Sequence, residues 1–67
     1  MGDQLHSRLR ETRTSRNLTQ AQLAELVGVS RKTINTVENG IFVPSTVLAL
    51  RLARALETTV EQLFALP

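Results

Sequence analysis

Sixty-seven residues allow one domain, close to the lower size at which a single hydrophobic core suffices, so every apolar face should be put to use. With no cysteine and His6 as the lone histidine, disulfides and thiolate metal sites are excluded, and neither zinc nor any other metal or cofactor is expected. The net charge of +2 decides little, and no apolar run approaches the roughly 18 residues of a membrane span, so a soluble cytoplasmic protein with no membrane partner is expected.

In chain order, Asp3 can cap a first helix with Leu5 and Leu9 on one face, ending near Asn17, a residue that tolerates the left-handed conformation. Thr19-Gln20-Ala21-Gln22 reads as a capping box opening a second helix, whose inner face is Leu23, Ala24 and Val27. Gly28 supplies a sharp stop, and Ser30 caps a third helix with Ile34 and Val37 inward. Asn39-Gly40 ends it. After Ile41-Phe42-Val43-Pro44, Ser45 caps a fourth helix running from Thr46 to about Leu56. Thr58 with Glu61 and Thr59 with Gln62 form two overlapping capping boxes for a fifth, ending near Phe64. No stretch alternates with period two, so the fold class is all-α, a compact five-helix bundle without strands, spanning 1–67 as one domain.

Leu18-Thr19-Gln20, Leu23-Ala24, Gly28-Val29-Ser30, Ile34 and Val37-Glu38-Asn39-Gly40, followed by Pro44-Ser45 and the helix "ALRLARAL" at 49–56, carry a resemblance to a known family. From about Leu9 to Phe64 the chain resembles the Cro/cI-type, or XRE-family, helix-turn-helix proteins, with the motif at about 19–38. The resemblance implies a lambda-repressor-like DNA-binding domain: a sequence-specific regulator of transcription, a dimeric repressor that lays its third helix in the major groove of a pseudo-palindromic operator.

The third helix is chemically equipped for that task. With Ile34 and Val37 inward, Arg31, Lys32, Asn35 and Thr36 are left outside as base-reading candidates: Arg and Lys suit guanine, Asn can bridge adenine, and Thr offers a hydroxyl and a methyl. Two basic residues at a helix N-terminus oppose the macrodipole, which favours a functional over a stabilising role. They belong to the basic half of the chain, where residues 1–36 carry six Lys or Arg against three acids, while 37–67 carry two against three. Gln20, Ser30, Thr33, Arg10 and Asn39 are the candidates for positioning on the phosphate backbone, Gln20 by resemblance; Thr19 and Ser30 also serve as caps. By resemblance, Arg13 and Glu38 form a partly buried ion pair joining the first and third helices. Arg8, Arg16 and His6 are assigned to solvated faces.

Three positions depart from the family pattern. Glu57 stands where Gly or Asn usually ends the fourth helix, so it either takes a positive φ or the helix ends differently. Thr12 replaces an apolar residue, and Ile41-Phe42-Val43 replaces a polar or basic loop, which leaves backbone N–H groups as its route to phosphate.

The fourth helix is apolar over Val47, Leu48, Leu50, Leu52 and Leu56, too wide an arc for one core face, and a homodimer through Leu50, Leu63 and Leu66 is expected to cover it. Double-stranded DNA and a second copy are therefore the expected partners, with the nucleoid as the place of action. The competing reading is an antitoxin-like or other protein-interaction module that gives the apolar C-terminal face to an unidentified protein partner. Catalysis is not expected, because one His, no Cys or Tyr and scattered acids supply no converging nucleophile and base.

Overall fold

Hydroxyl caps set where most of the helices begin. The computed structural model describes residues 5–67 as β1 (His6–Ser7), α1 (Leu9–Ser15), α2 (Gln20–Val27), α3 (Arg31–Glu38), α4 (Thr46–Ala55), α5 (Val60–Leu63) and β2 (Phe64–Ala65). Thr19 Oγ1 accepts from the Gln22 N–H at 3.0 Å while Gln22 Oε1 accepts from the Thr19 N–H at 2.8 Å, the reciprocal box expected at the start of α2. Ser30 caps α3 through the Thr33 N–H at 3.1 Å, and Ser45 caps α4 through the Leu48 N–H at 3.1 Å. Thr59 caps α5 through the Gln62 N–H at 3.2 Å, but the Gln62 carboxamide turns to accept from the Thr58 hydroxyl, so neither expected box closes there. Each such cap contributes about 1 kcal/mol.

Helices α1 to α4 stop on left-handed residues, whereas α5 runs into extended backbone at Phe64. Gly28 and Gly40 (φ 76° and 71°) follow α2 and α3, and Asn17 and Glu57 (φ 59° and 56°) follow α1 and α4. At Glu57 the Schellman pattern is complete, with its own N–H on the Arg54 carbonyl at 3.2 Å and the Thr58 N–H on the Ala53 carbonyl at 2.9 Å. Of the two outcomes left open for Glu57, the positive φ is the one adopted.

The first segment departs from expectation. The proposed Asp3 cap lies outside the described residues, and α1 opens only at Leu9, with Arg8 at its N-cap making no side-chain cap. His6 and Ser7 instead pair antiparallel with Ala65 and Phe64, respectively, so the bundle carries a two-residue strand pair where no strand was expected. The Arg8 N–H extends the seam by donating to the Leu63 carbonyl at 2.8 Å. Leu5 still packs against the core, but from outside the helix.

α2 packs on α3 and α4, α4 on α5, and α1 on α3. Their shared core contains Leu9, Leu23, Ile34, Val37, Leu52, Leu56 and Leu63, all fully enclosed, each side chain contributing about 1.5–3 kcal/mol on burial. This corrects the assignment of Leu63 to a dimer surface: at 0% exposure it belongs to the protomer's own core, whereas Leu50 and Leu66 are 57% and 69% exposed. The arc of α4 divides in the same way, with Leu48, Leu52 and Leu56 inward and Val47 and Leu50 outward. Among the described residues no helix is long and apolar enough to cross a membrane.

Candidate nucleic-acid interface

The turn at Gly28-Val29-Ser30 sets α3 across α2 with Ile34, Val37 and Glu38 buried, which leaves the opposite side of α3 outward. Gln20, Arg31, Lys32 and Asn35 line one shallow depression on that side. Arg31, Lys32 and Asn35 are exposed, and Arg31 and Lys32 occupy the first turn with no acidic residue beside them. Thr36 is half-buried, and its hydroxyl donates to the Thr33 carbonyl at 2.9 Å, so it is less free to reach outward than the other three.

Behind this face lies a polar network centred on Glu38. Its side chain is fully enclosed, and Arg13, whose own side chain is 11% exposed, donates from Nε to Oε2 at 2.6 Å and from Nη2 to Oε1 at 3.4 Å. Arg13 Nη1 also donates to the Leu18 carbonyl at 2.8 Å, so the guanidinium joins α1 to α3 and to the loop before α2. The expected Arg13–Glu38 pair has the geometry for a lock between helices. Burial pushes the Glu38 carboxyl up, but hydrogen bonds from Arg13 and Gln20, the Arg13 charge and a hydrogen bond from Arg10 outweigh it and hold the group below its ordinary value of 4.5.

Several expected backbone-positioning residues are drawn into the same network. Arg10 Nε donates to Glu38 Oε1 at 3.3 Å and its Nη2 donates to Asn39 Oδ1 at 2.8 Å, although the side chain remains 53% exposed. Asn39 Nδ2 donates to the Asn35 carbonyl at 2.9 Å. Gln20 Nε2 donates to Glu38 Oε1 at 3.0 Å and to Asn35 Oδ1 at 3.2 Å, while its Oε1 accepts from Arg31 Nε at 3.3 Å. Ser30 and Thr33 share a hydroxyl–hydroxyl bond of 3.0 Å beside the cap. The structure therefore brings Gln20, Arg31, Asn35, Asn39 and Arg10 together, with Lys32 at the margin. Sequence reasoning had assigned Arg10 to phosphate and missed its part in the Glu38 cluster; its i, i+3 spacing from Arg13 on one helix face was the available signal. Leu50 and Leu66 are exposed on the C-terminal half of the chain, and no group of three or more metal-ligating side chains is found among the described residues.

The arrangement can do two kinds of work: a rigid positive face can meet phosphates, and outward donors can meet base edges. Comparisons with known proteins agree with that geometry. A family model described as helix-turn-helix matches residues 9–63. A protein of Methanothermobacter thermautotrophicus, described as an uncharacterized HTH-type transcriptional regulator, is 49% identical over 59 residues, covering 87% of this chain and 86% of the relative. The restriction-modification controller protein C.AhdI of Aeromonas hydrophila is similar in structure, with a TM-score of 0.77 and 42% identity over 82% of this chain and 83% of that one. The clp gene regulator ClgR of Corynebacterium glutamicum gives a TM-score of 0.76 at 30% identity, covering 81% of this chain and 57% of that one. With its capped helix pair, left-handed turn and basic outward face, this chain belongs to the XRE-type helix-turn-helix family of DNA-binding, non-enzymatic transcriptional regulators.

Proposed function

We propose that the protein is a dimeric repressor that occupies a pseudo-palindromic operator, with α3 of each protomer in the major groove. The observation that carries this reading is the convergence of Arg31, Lys32 and Asn35 on one outward depression, backed by Gln20 and the Glu38 network. Arg31, Lys32, Asn35 and the half-buried Thr36 read bases; Ser30, Thr33, Gln20, Asn39 and Arg10 position the backbone. Phosphate contacts supply affinity and salt dependence, base contacts the choice of site. The place of action is the cytoplasm, on the nucleoid.

Pairing is assigned to the outer face of α4. Leu50 borders a groove lined by Leu5, Val43, Pro44, Ala53, Val60 and Phe64, with Arg54 and Glu61 also on its wall. Neither Arg54 nor Glu61 has an ion-pair partner among the described residues, and under a two-fold axis each can meet the other's counterpart. That self-complementary charge pattern favours a second copy of the chain over a different protein. Such a dimer sets two α3 helices about 34 Å apart, one turn of DNA.

The test is selection of binding sites from random duplex DNA at near-physiological salt, with light scattering of the free protein. An inverted repeat and a dimeric mass that falls to that of a monomer in Leu50→Glu support the reading. Salt-sensitive binding without a consensus rejects sequence-specific reading by α3. A monomeric wild type rejects the dimer and leaves the apolar groove to a protein partner of another kind.

A further inference from the structure

Glu38 does more than hold α1 to α3. Its ionised, enclosed carboxylate can only accept hydrogen bonds, so the Gln20 amide must present its nitrogen there, and Nε2 lies 3.0 Å from Glu38 Oε1. The same nitrogen lies 3.2 Å from Asn35, and a donor at that point requires the oxygen of Asn35 on that side. A second chain of reasoning starts from Arg10, which can only donate. Its Nη2 lies 2.8 Å from Asn39 Oδ1, which turns Asn39 Nδ2 toward α3, where it reaches the Asn35 carbonyl at 2.9 Å and Asn35 Oδ1 at 3.4 Å. Two amides that are ordinarily interchangeable end for end are thus oriented from opposite directions by charged groups, and both point donors at the same Asn35 oxygen. Asn35 Nδ2 has no partner among the described residues, and Asn35 is exposed on the outward face.

We infer that Asn35 offers the groove a donor alone, and that buried Glu38, acting through Gln20, makes the protein prefer guanine over adenine at the base pair Asn35 meets. The inference rests on the proposed reading of DNA by α3 and replaces the expectation that Asn35 bridges adenine. Adenine recognition by an asparagine uses Oδ1 for the N6 amine and Nδ2 for N7. Here Oδ1 is engaged by Gln20 and Asn39. Guanine presents two adjacent acceptors, N7 and O6, to which one amide nitrogen can donate, whereas adenine sets an N6 donor beside its N7. The same relay turns Gln20 Oε1 toward Arg31 Nε at 3.3 Å, leaving the two terminal nitrogens of Arg31 for the groove. Arg31, Lys32 and Asn35 then form a face of donors only, and Glu38 and Gln20 are positioning residues that give it that polarity.

The experiment is binding-site selection with the full chain as wild type, Asn35→Ala, Gln20→Ala and Glu38→Gln, each checked for helicity before use. Asn35→Ala identifies the base pair concerned as the one whose preference relaxes. In the wild type that position favours guanine over adenine by about tenfold, the scale of one good base contact. Gln20→Ala, which removes the nearer of the two donors on Asn35 Oδ1 without touching Asn35, reduces that ratio several-fold and admits adenine; Glu38→Gln, which lets the Gln20 amide turn over, acts in the same direction. A merely structural role for Gln20 would weaken all positions equally. Adenine preferred by the wild type, a guanine preference unchanged in Gln20→Ala, or a consensus with no position responding to Asn35→Ala overturns this inference while leaving sequence-specific reading intact. Absence of any wild-type consensus overturns both.

Discussion

Replacing Glu38 by Ala removes the acceptor that joins α1 to α3 and strands Arg13. The Arg13 side chain is 11% exposed and loses donations of 2.6 Å and 3.4 Å, keeping only the Leu18 carbonyl at 2.8 Å. Removing one partner of a buried ion pair costs about 3–5 kcal/mol. Because Arg13 retains one acceptor and Arg10 can turn to water, the expected loss lies at the lower end, about 3 kcal/mol. A domain of 67 residues has only about 3–10 kcal/mol in total, at ~0.05–0.15 kcal/mol per residue. At about 4–8 °C per kcal/mol, the melting temperature should fall by roughly 12–24 °C. The assay is thermal unfolding followed by circular dichroism at fixed protein concentration, for Glu38→Ala, Arg13→Ala and the double variant. The double variant should lose less than the sum of the singles by at least about 1 kcal/mol, since it leaves no charge stranded. A fall of less than about 4 °C in Glu38→Ala, or strict additivity, would refute the lock.

Acid should act through the same group. The folded Glu38 carboxyl lies below its ordinary value of 4.5, so its contribution is fully present above that pH and is lost as pH falls through the folded value. Wild-type melting temperatures should therefore drop more steeply as the pH is lowered below 4.5 than those of Glu38→Gln; parallel curves would contradict this. Glu57→Gly relieves a left-handed side chain at φ 56° and should raise stability by about 0.5–1 kcal/mol in urea titration, a lower midpoint being the contrary result. The exposed Arg16–Glu57 pair at 3.7 Å that it removes contributes little. Gly40→Ala should cost about 1–2 kcal/mol, because φ is 71° and the new methyl meets the Leu5 carbonyl oxygen at 3.3 Å. An unchanged melting temperature would show that the Leu5 segment yields freely.

What could be read from the sequence was what is decided locally. Thr19, Ser30 and Ser45 announce their helices because a cap needs only the next three residues, and all three act as caps. Asn17 and Gly28 mark stops for the same reason. His6 and Ser7 gave no such signal: two residues show no periodicity, and their partners, Phe64 and Ala65, lie at the other end of the chain. Leu63 was assigned outward because an apolar residue in a short amphipathic helix does not say which neighbour covers it. Within the candidate interface, the residue types were legible on α3, but their polarity was not. Whether Asn35 presents oxygen or nitrogen depends on Gln20 in α2 and Asn39 beyond α3, and on how α1 brings Arg10 over them.

The seam between β1 and β2 makes letting go of the ends a different event from ordinary fraying. A helix of four residues such as α5 has no standing of its own in water, and here it is held by the pairing of His6 and Ser7 and by the Arg8 amide on Leu63. Parting that seam uncovers Leu63 and Phe64, which are core residues, so it opens the hydrophobic interior. It also takes apart one wall of the groove in which Val60 and Phe64 stand. A protomer with loosened ends would retain the capped pair α2 and α3 yet lose one wall of the surface proposed for pairing. Under the proposed pairing, assembly would in that way favour protomers whose first and last described segments are joined, because Leu5, Val60 and Phe64 complete the groove beside Leu50.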